Sequence, residues 1–217
     1  TSNLSFAKII DEDTTLDSSI RLYQDLSKED SDKYQYVFPD FSFSKNIDLD
    51  DSYNGNFQFI STGFQKVFDT NIYEAQINND FNFQSFDYIT STGLLSDYTF
   101  LLKNFNTYSE NSSVYENKND HEIFGMFLFK SELPLKKELE NSKNFLTPII
   151  QLRISPTNGK NISSDDTRIN FDNLFSPNRI GRSDMVEKGE SITLGLEFEK
   201  QNINNDKILG LSIGNVL

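Results

Sequence analysis

The chain has 217 residues, with 33 acidic side chains against 20 Lys and Arg, and a net charge of −13. Only 36% of residues are hydrophobic, below the usual figure of about 45–50%, yet 20 Phe and 9 Tyr are present, and disordered chains are poor in aromatics. The lack of Cys excludes disulfides and thiolate sites among these residues, the acidic balance disfavours a nucleic-acid partner, and no apolar run reaches the ~18 residues of a membrane-spanning helix.

The dominant period along the chain is two. At 33–45 the phase flips: Tyr34, Tyr36 and Phe38 are even, then Phe41 and Phe43 are odd. A bulge at Pro39-Asp40 would supply the extra residue. Phe57 and Phe59 alternate with Asn56 and Gln58. Over 72–84, Tyr73, Ala75, Ile77, Phe81 and Phe83 share one parity and Glu74, Gln76, Asn78, Asp80, Asn82 and Gln84 the other, with Asn79 the one break on the apolar side. Tyr98, Phe100 and Leu102 oppose Asp97, Thr99 and Lys103. Phe124, Met126 and Leu128 lie in a strand that is apolar on both faces for part of its length. Ile192, Leu194, Leu196 and Phe198 oppose Thr193, Gly195, Glu197 and Glu199, and Leu209, Leu211 and Ile213 oppose Gly210, Ser212 and Gly214. Such alternation puts one set of side chains on each face of a strand.

Turn-like clusters separate these runs, at Asp48 to Gly55, Tyr108 to Asp120, Lys136 to Asn144, Pro156 to Asp166 and Asn204-Asn205-Asp206. The count comes to about nine or ten strands, many 9–14 residues long, with no persuasive helix. The mean strand of a soluble protein is about 5–6 residues, whereas a tilted membrane-spanning strand needs about 9–11. Long strands with one apolar and one polar parity predict an all-β, antiparallel up-and-down meander, an incomplete slice of a large outer-membrane β-barrel. The whole of 1–217 would be one partial barrel domain, with a long loop near 156–189. The chain opens on Thr1 and ends at Leu217 inside an alternating run, which predicts a piece of something longer. The alternative is a soluble or surface-exposed antiparallel β-sandwich acting as a binding module, whose strands alternate in the same way.

From about residue 70 the chain resembles a known family. The segments are QINNDFNFQSFDYITSTGLLSDYTFLLKNFNT at 76–107, HEIFGMFLFKSELPLK at 121–136 and FLTPIIQLRISP at 145–156. RINFDNLFSPNRIG follows at 168–181, then DMVEKGESITLGLEF at 184–198 and ILGLSIGNV at 208–216. In this order they resemble the β-barrel region of the outer-membrane lipopolysaccharide-assembly family LptD, in its alphaproteobacterial form. The most specific pieces are Asp172-Asn173-Leu174-Phe175 with Asn178-Arg179, and Asp184 to Gly189. One departure is Glu187-Lys188-Gly189 where the family often carries Glu-Gly-Gly. The resemblance implies a location in the Gram-negative outer membrane and a parent that receives lipopolysaccharide from a periplasmic bridge protein and sets it in the outer leaflet. It implies contact with outer-membrane lipid and an LptE-like lipoprotein plug in the lumen. No cofactor, metal or catalytic residue is expected.

Four of the five Arg (Arg153, Arg168, Arg179 and Arg182) fall among Asp165, Asp166, Asp172, Asp184 and Glu187. Arg–carboxylate pairs are short and geometrically specific, so these residues are expected to pin a long loop, folded into the lumen. Asn173, Asn178 and Gly189 belong to the same stretch, and Phe175, Pro177 and Ile180 would be its apolar anchor. Direct contact of Arg179 or Arg182 with lipopolysaccharide phosphates is a second reading of the same cations. His121 is the only His and lacks partners for a metal site or a triad. Asp48, Asp50, Ser52, Asn54 and Asn56 echo an EF-hand spacing, but Tyr53 stands at the sixth position and Phe59 at the twelfth, where Gly and Glu are required. An enzyme is not expected, because no nucleophile–base–orienter set is present.

Overall fold

A computed structural model describes residues 1–50, 53–69, 71–157 and 168–217. The described residues form twelve β-strands and one 3₁₀ turn at Asp30–Lys33. In chain order the strands are β1 (Ser2–Asp11), β2 (Thr14–Gln24), β3 (Tyr34–Ile47), β4 (Gly55–Phe68), β5 (Ile72–Ser85) and β6 (Tyr88–Ile89). They continue with β7 (Leu95–Glu110), β8 (Asn119–Glu132), β9 (Leu135–Leu139), β10 (Ser142–Ser155), β11 (Gly189–Asn202) and β12 (Lys207–Val216). They make one antiparallel sheet in the order β1-β2-β3-β4-β5-β7-β8-β10-β11-β12, with the short β6 on β7 and β9 on β10. Neighbours in sequence are neighbours in space, as an up-and-down meander requires, and β1 and β12 end the order. A sandwich would need two packed sheets; the described residues form one.

The ten strands of that order run from 10 to 16 residues, the length the alternation suggested. One connection is shorter than expected. Lys136 to Asn144, read as a polar loop, instead holds β9, which pairs with β10 from Ser142↔Leu139 to Leu146↔Leu135. Its Lys and Glu side chains masked a hairpin because both faces of β9 are exposed, so no apolar parity marked it. The flip in β3 is a bulge. Val37 pairs with Lys66 and Asp40 with Phe64, so Phe38 and Pro39 together face Gln65. Tyr36 and Phe38 thereby stay on the same face as Phe41 and Phe43.

The backbone groups into two compact units, Thr1–Ser52 with Asn56–Phe83 and Leu102–Phe124, and Tyr53–Gly55 with Gln84–Leu101 and Gly125–Leu217. In the first unit Leu4, Phe6, Ile20, Tyr36, Phe38, Ile77, Phe81 and Leu102 are exposed on one face. Phe59 stacks on Phe81 with centroids 4.8 Å apart, and Phe43 joins the row at 6.0 Å from Phe59. The opposite face is polar and covered. Lys103, 5% exposed, bonds both Asp80 oxygens (2.6 and 2.9 Å) and Asn78 Oδ1 at 3.3 Å. The connection after β7 folds over this face, where Ser112 donates to Glu74 at 2.6 Å and the Tyr115 hydroxyl bonds Gln76 at 3.1 Å.

The second unit repeats the arrangement. Tyr98, Phe100, Phe129, Ile150, Leu152, Ile192, Leu194, Leu196, Leu211 and Ile213 are exposed along the apolar parity. Met126, Leu128, Ile149, Gln151, Arg153, Ser155 and Thr193 are buried on the other. What buries the β10–β11 part of that polar parity is the segment 168–188.

Candidate functional site

β10 and β11 pair without a register shift from Ser142↔Asn202 to Ser155↔Gly189. This fixes the polar-face rows: Gln151 opposite Thr193 and Arg153 opposite Ser191. β12 continues the wall, with Gly214 opposite Gly195. Two glycines side by side leave a shallow seat, and the segment fills it. A Cβ on Gly195 would overlap the Phe175 ring, and one on Gly214 would overlap Leu174. Phe171 meets Phe175 edge-on, 5.8 Å between centroids. Leu174, Met185 and Val186 are fully buried, while Pro177 is exposed and Ile180 half-buried.

The turns of the segment are built from Asn. Asn170 Oδ1 accepts from the backbone N–H of Asp172 (3.0 Å) and Asn173 (3.2 Å), and Asn173 Nδ2 donates to the Arg168 carbonyl at 2.8 Å. Asn178 closes the next turn, accepting from the Arg182 N–H at 3.2 Å and donating to its carbonyl at 2.8 Å. Such side-chain-to-backbone bonds replace the ladder in a stretch that is neither helix nor strand. Gly181 and Gly189 have φ of 71° and 106°, a left-handed backbone that suits Gly.

Two Arg forks then fix the segment. Arg179, 5% exposed, grips Glu187 through Nε–Oε2 at 2.6 Å and Nη2–Oε1 at 2.7 Å, and donates to Ser191 Oγ at 3.2 Å. Arg182 grips Asp184 with Nε–Oδ1 at 2.8 Å and Nη2–Oδ2 at 2.7 Å. From the wall, Arg153 reaches up to the carbonyls of Pro177 (3.0 Å) and Glu187 (3.4 Å). A bidentate Arg–carboxylate pair in a nearly dry site is stronger and more directional than a surface pair. Beside the segment lies a cavity of 510 Å³ bordered by Lys130, Glu132, Thr147, Phe171, Asp172 and Glu197.

Of the residues named from sequence, Arg153, Arg179, Glu187, Phe175 and Gly189 come together at the wall. Asn173, Asn178 and Asp184 hold the turns above it, and Arg168 and Asp172 lie exposed. Asp165 and Asp166 lie outside the described residues, as does Ser52 of the EF-hand-like spacing. His121 is exposed, with Nδ1 2.8 Å from Asn106 Oδ1. No group of three metal-ligating side chains gathers among the described residues. Sequence reasoning missed Leu174 and the Gly195–Gly214 seat. The signal was present, since Gly inside a strand pattern marks close approach of another group.

The fold defines a class: an incomplete slice of a large outer-membrane β-barrel, apolar on one parity and polar on the other. The chain belongs to the LptD family, LPS transport system D, whose family model matches residues 8–217. That family handles lipopolysaccharide within a transport system of the outer membrane. A search of curated proteins returned no match to the chain.

Proposed function

We propose that residues 1–217 are one partial transmembrane domain, a stretch of barrel wall in the Gram-negative outer membrane. The parent protein inserts lipopolysaccharide into the outer leaflet, a transfer without a covalent step. The observation that carries this is the opposite character of the two parities. Exposed Ile, Leu, Phe and Tyr cover one face, while the polar face is covered by the chain's own connections. The apolar face meets outer-membrane lipid. The polar face lines the lumen, where Arg153, Arg168, Asp172, Asn173, Phe175, Asn178, Arg179, Asp184, Glu187 and Gly189 shape a folded-in loop. Its partners are an LptE-like lipoprotein plug and the periplasmic bridge protein that delivers the substrate. The test uses full-length protein in cells depleted of the native copy. Arg179→Met lowers surface lipopolysaccharide and raises permeability to large antibiotics several-fold. Normal display and permeability, with normal heat-modifiable mobility, would overturn the role of the loop.

A further inference from the structure

The wall beneath the 168–188 segment has more donors than acceptors. Gln151, Arg153 and Thr193 are 2%, 2% and 0% exposed. Gln151 Nε2, Arg153 Nε and Arg179 Nη1 are buried donors, and Thr193 Oγ1 a buried hydroxyl, each without a hydrogen-bond partner among the described residues. Native interiors pair nearly all such groups, and an exception calls for a cause. The four belong to one place. Gln151 and Thr193 are register partners, Arg153 stands at the next polar-face position of β10, and Arg179 bonds Ser191 opposite Arg153.

The charge is also uneven. Two guanidiniums, Arg153 and Arg179, meet the single carboxylate of Glu187, and Arg179 takes both of its oxygens. Arg153 is left with the neutral carbonyls of Pro177 and Glu187. Asp184 is gripped by both nitrogens of the Arg182 fork. A guanidinium fork, an amide N–H and a hydroxyl beside one positive charge left uncompensated among the described residues match a tetrahedral oxyanion with two or three free oxygens.

We infer that this wall is a covered phosphomonoester site. Gln151, Arg153 and Thr193 form its floor, and Arg179 is carried on the cover. The site opens when the segment lifts from its seat on Gly195 and Gly214. Leu174 and Phe175 hold the cover by apolar contact, and Gly189, with its left-handed backbone, sits where the cover joins β11. An entering phosphate replaces the two carbonyls on Arg153 and occupies the donors that the closed form leaves idle. The inference goes beyond the transport reading and does not depend on it.

The test uses the full-length protein, purified in detergent with its partner subunits. Leu174→Cys with Gly214→Cys, oxidised, ties the cover down; the unaltered protein under the same oxidant is the control, and reduction of the double variant releases the tether. The probes are inorganic phosphate and phosphatidate in detergent micelles, against phosphatidylcholine micelles, read by calorimetry. The control is expected to bind saturably and the tethered protein at least tenfold more weakly. Arg153→Gln is expected to lose a similar factor, with partial rescue by Arg153→Lys. Binding of phosphatidate alone assigns a lipid-borne monoester, and binding of both probes assigns the free group as well. Binding of neither, or equal binding by tethered and control protein, overturns the site. Lost lipopolysaccharide display with phosphate binding intact would count against the transport reading and leave this one standing.

Discussion

At the residue scale, burial decides which of the segment's side chains matter. Arg179 and Glu187 form a fork that is 4% exposed on the Arg side and 23% on the Glu side. Removing one partner of such a pair strands the other, and the cost approaches the ~3 kcal/mol of a broken buried pair. Arg179→Met should therefore open the segment to trypsin at Arg182 and Lys188 far faster than Asp172→Asn, since Asp172 is exposed. Equal cleavage rates for the two variants would refute the ranking. Gly195→Val should act through shape alone. Its side chain enters the space of the Phe175 ring, an overpacking of about 1–3 kcal/mol, and should unseat the segment while leaving the β10–β11 pairing intact. The concentration of Arg at 153–182 announced a pinned loop in the sequence. Which carboxylate each Arg takes was not legible, because Arg179 meets Glu187 only through the fold of the segment, while Arg153 takes backbone carbonyls instead, and no local pattern carries that.

At the element scale, the alternation was legible wherever one parity was largely apolar and the other polar or Gly, as in β5, β11 and β12. It failed where the two parities did not contrast. β1 reads Leu4 and Phe6 on one side and Ala7 and Ile9 on the other, all exposed, and β9 is charged between its two terminal Leu and exposed throughout. Local sequence carries side-chain period, and pairing with a neighbour supplies the rest. Two predictions belong here. Leu194→Arg on the apolar parity of β11 should cost about 2–4 kcal/mol in a bilayer if it sits near the midplane. Glu197→Lys on the polar parity should cost far less, and urea unfolding in liposomes compares them. Deleting Pro39 removes the bulge and leaves Phe38 alone opposite Gln65, with Val37 still opposite Lys66 and Tyr36 opposite Val67. Tyr36, Phe38, Phe41 and Phe43 then stay on one face of an unbroken ladder. The variant should keep its heat-modifiable band; loss of the band would mean that the bulge itself is required.

For the whole molecule, a sheet whose apolar parity is exposed and whose end strands β1 and β12 are each paired on one side only, among the described residues, is unsuited to water. Exposed edges and apolar patches drive association. Expressed alone, residues 1–217 should aggregate and show β-type circular dichroism only in detergent. A monodisperse, cooperatively melting soluble monomer would sink the membrane reading. The acidic excess fits the same picture. Much of it lies in connections, such as Asp25 to Asp32 and Asp48 to Asp51, so −13 is a sum over loops and describes no single binding face.

The unshifted β10–β11 ladder has one more implication, for how the chain assembles and can be rebuilt. Ser155 faces Gly189, so the long segment between them leaves and re-enters at one spot. Closing it costs only about 2 kcal/mol more than closing a four-residue turn such as the one after β11, because closure entropy grows with the logarithm of length. With fourteen rows paired without a shift, the strands on either side should find their register without it. The segment is thus a detachable module: excised and replaced by Asn-Gly, it should leave the hairpin's pairing unchanged, and a cut within it should leave two fragments that still join through fourteen paired rows.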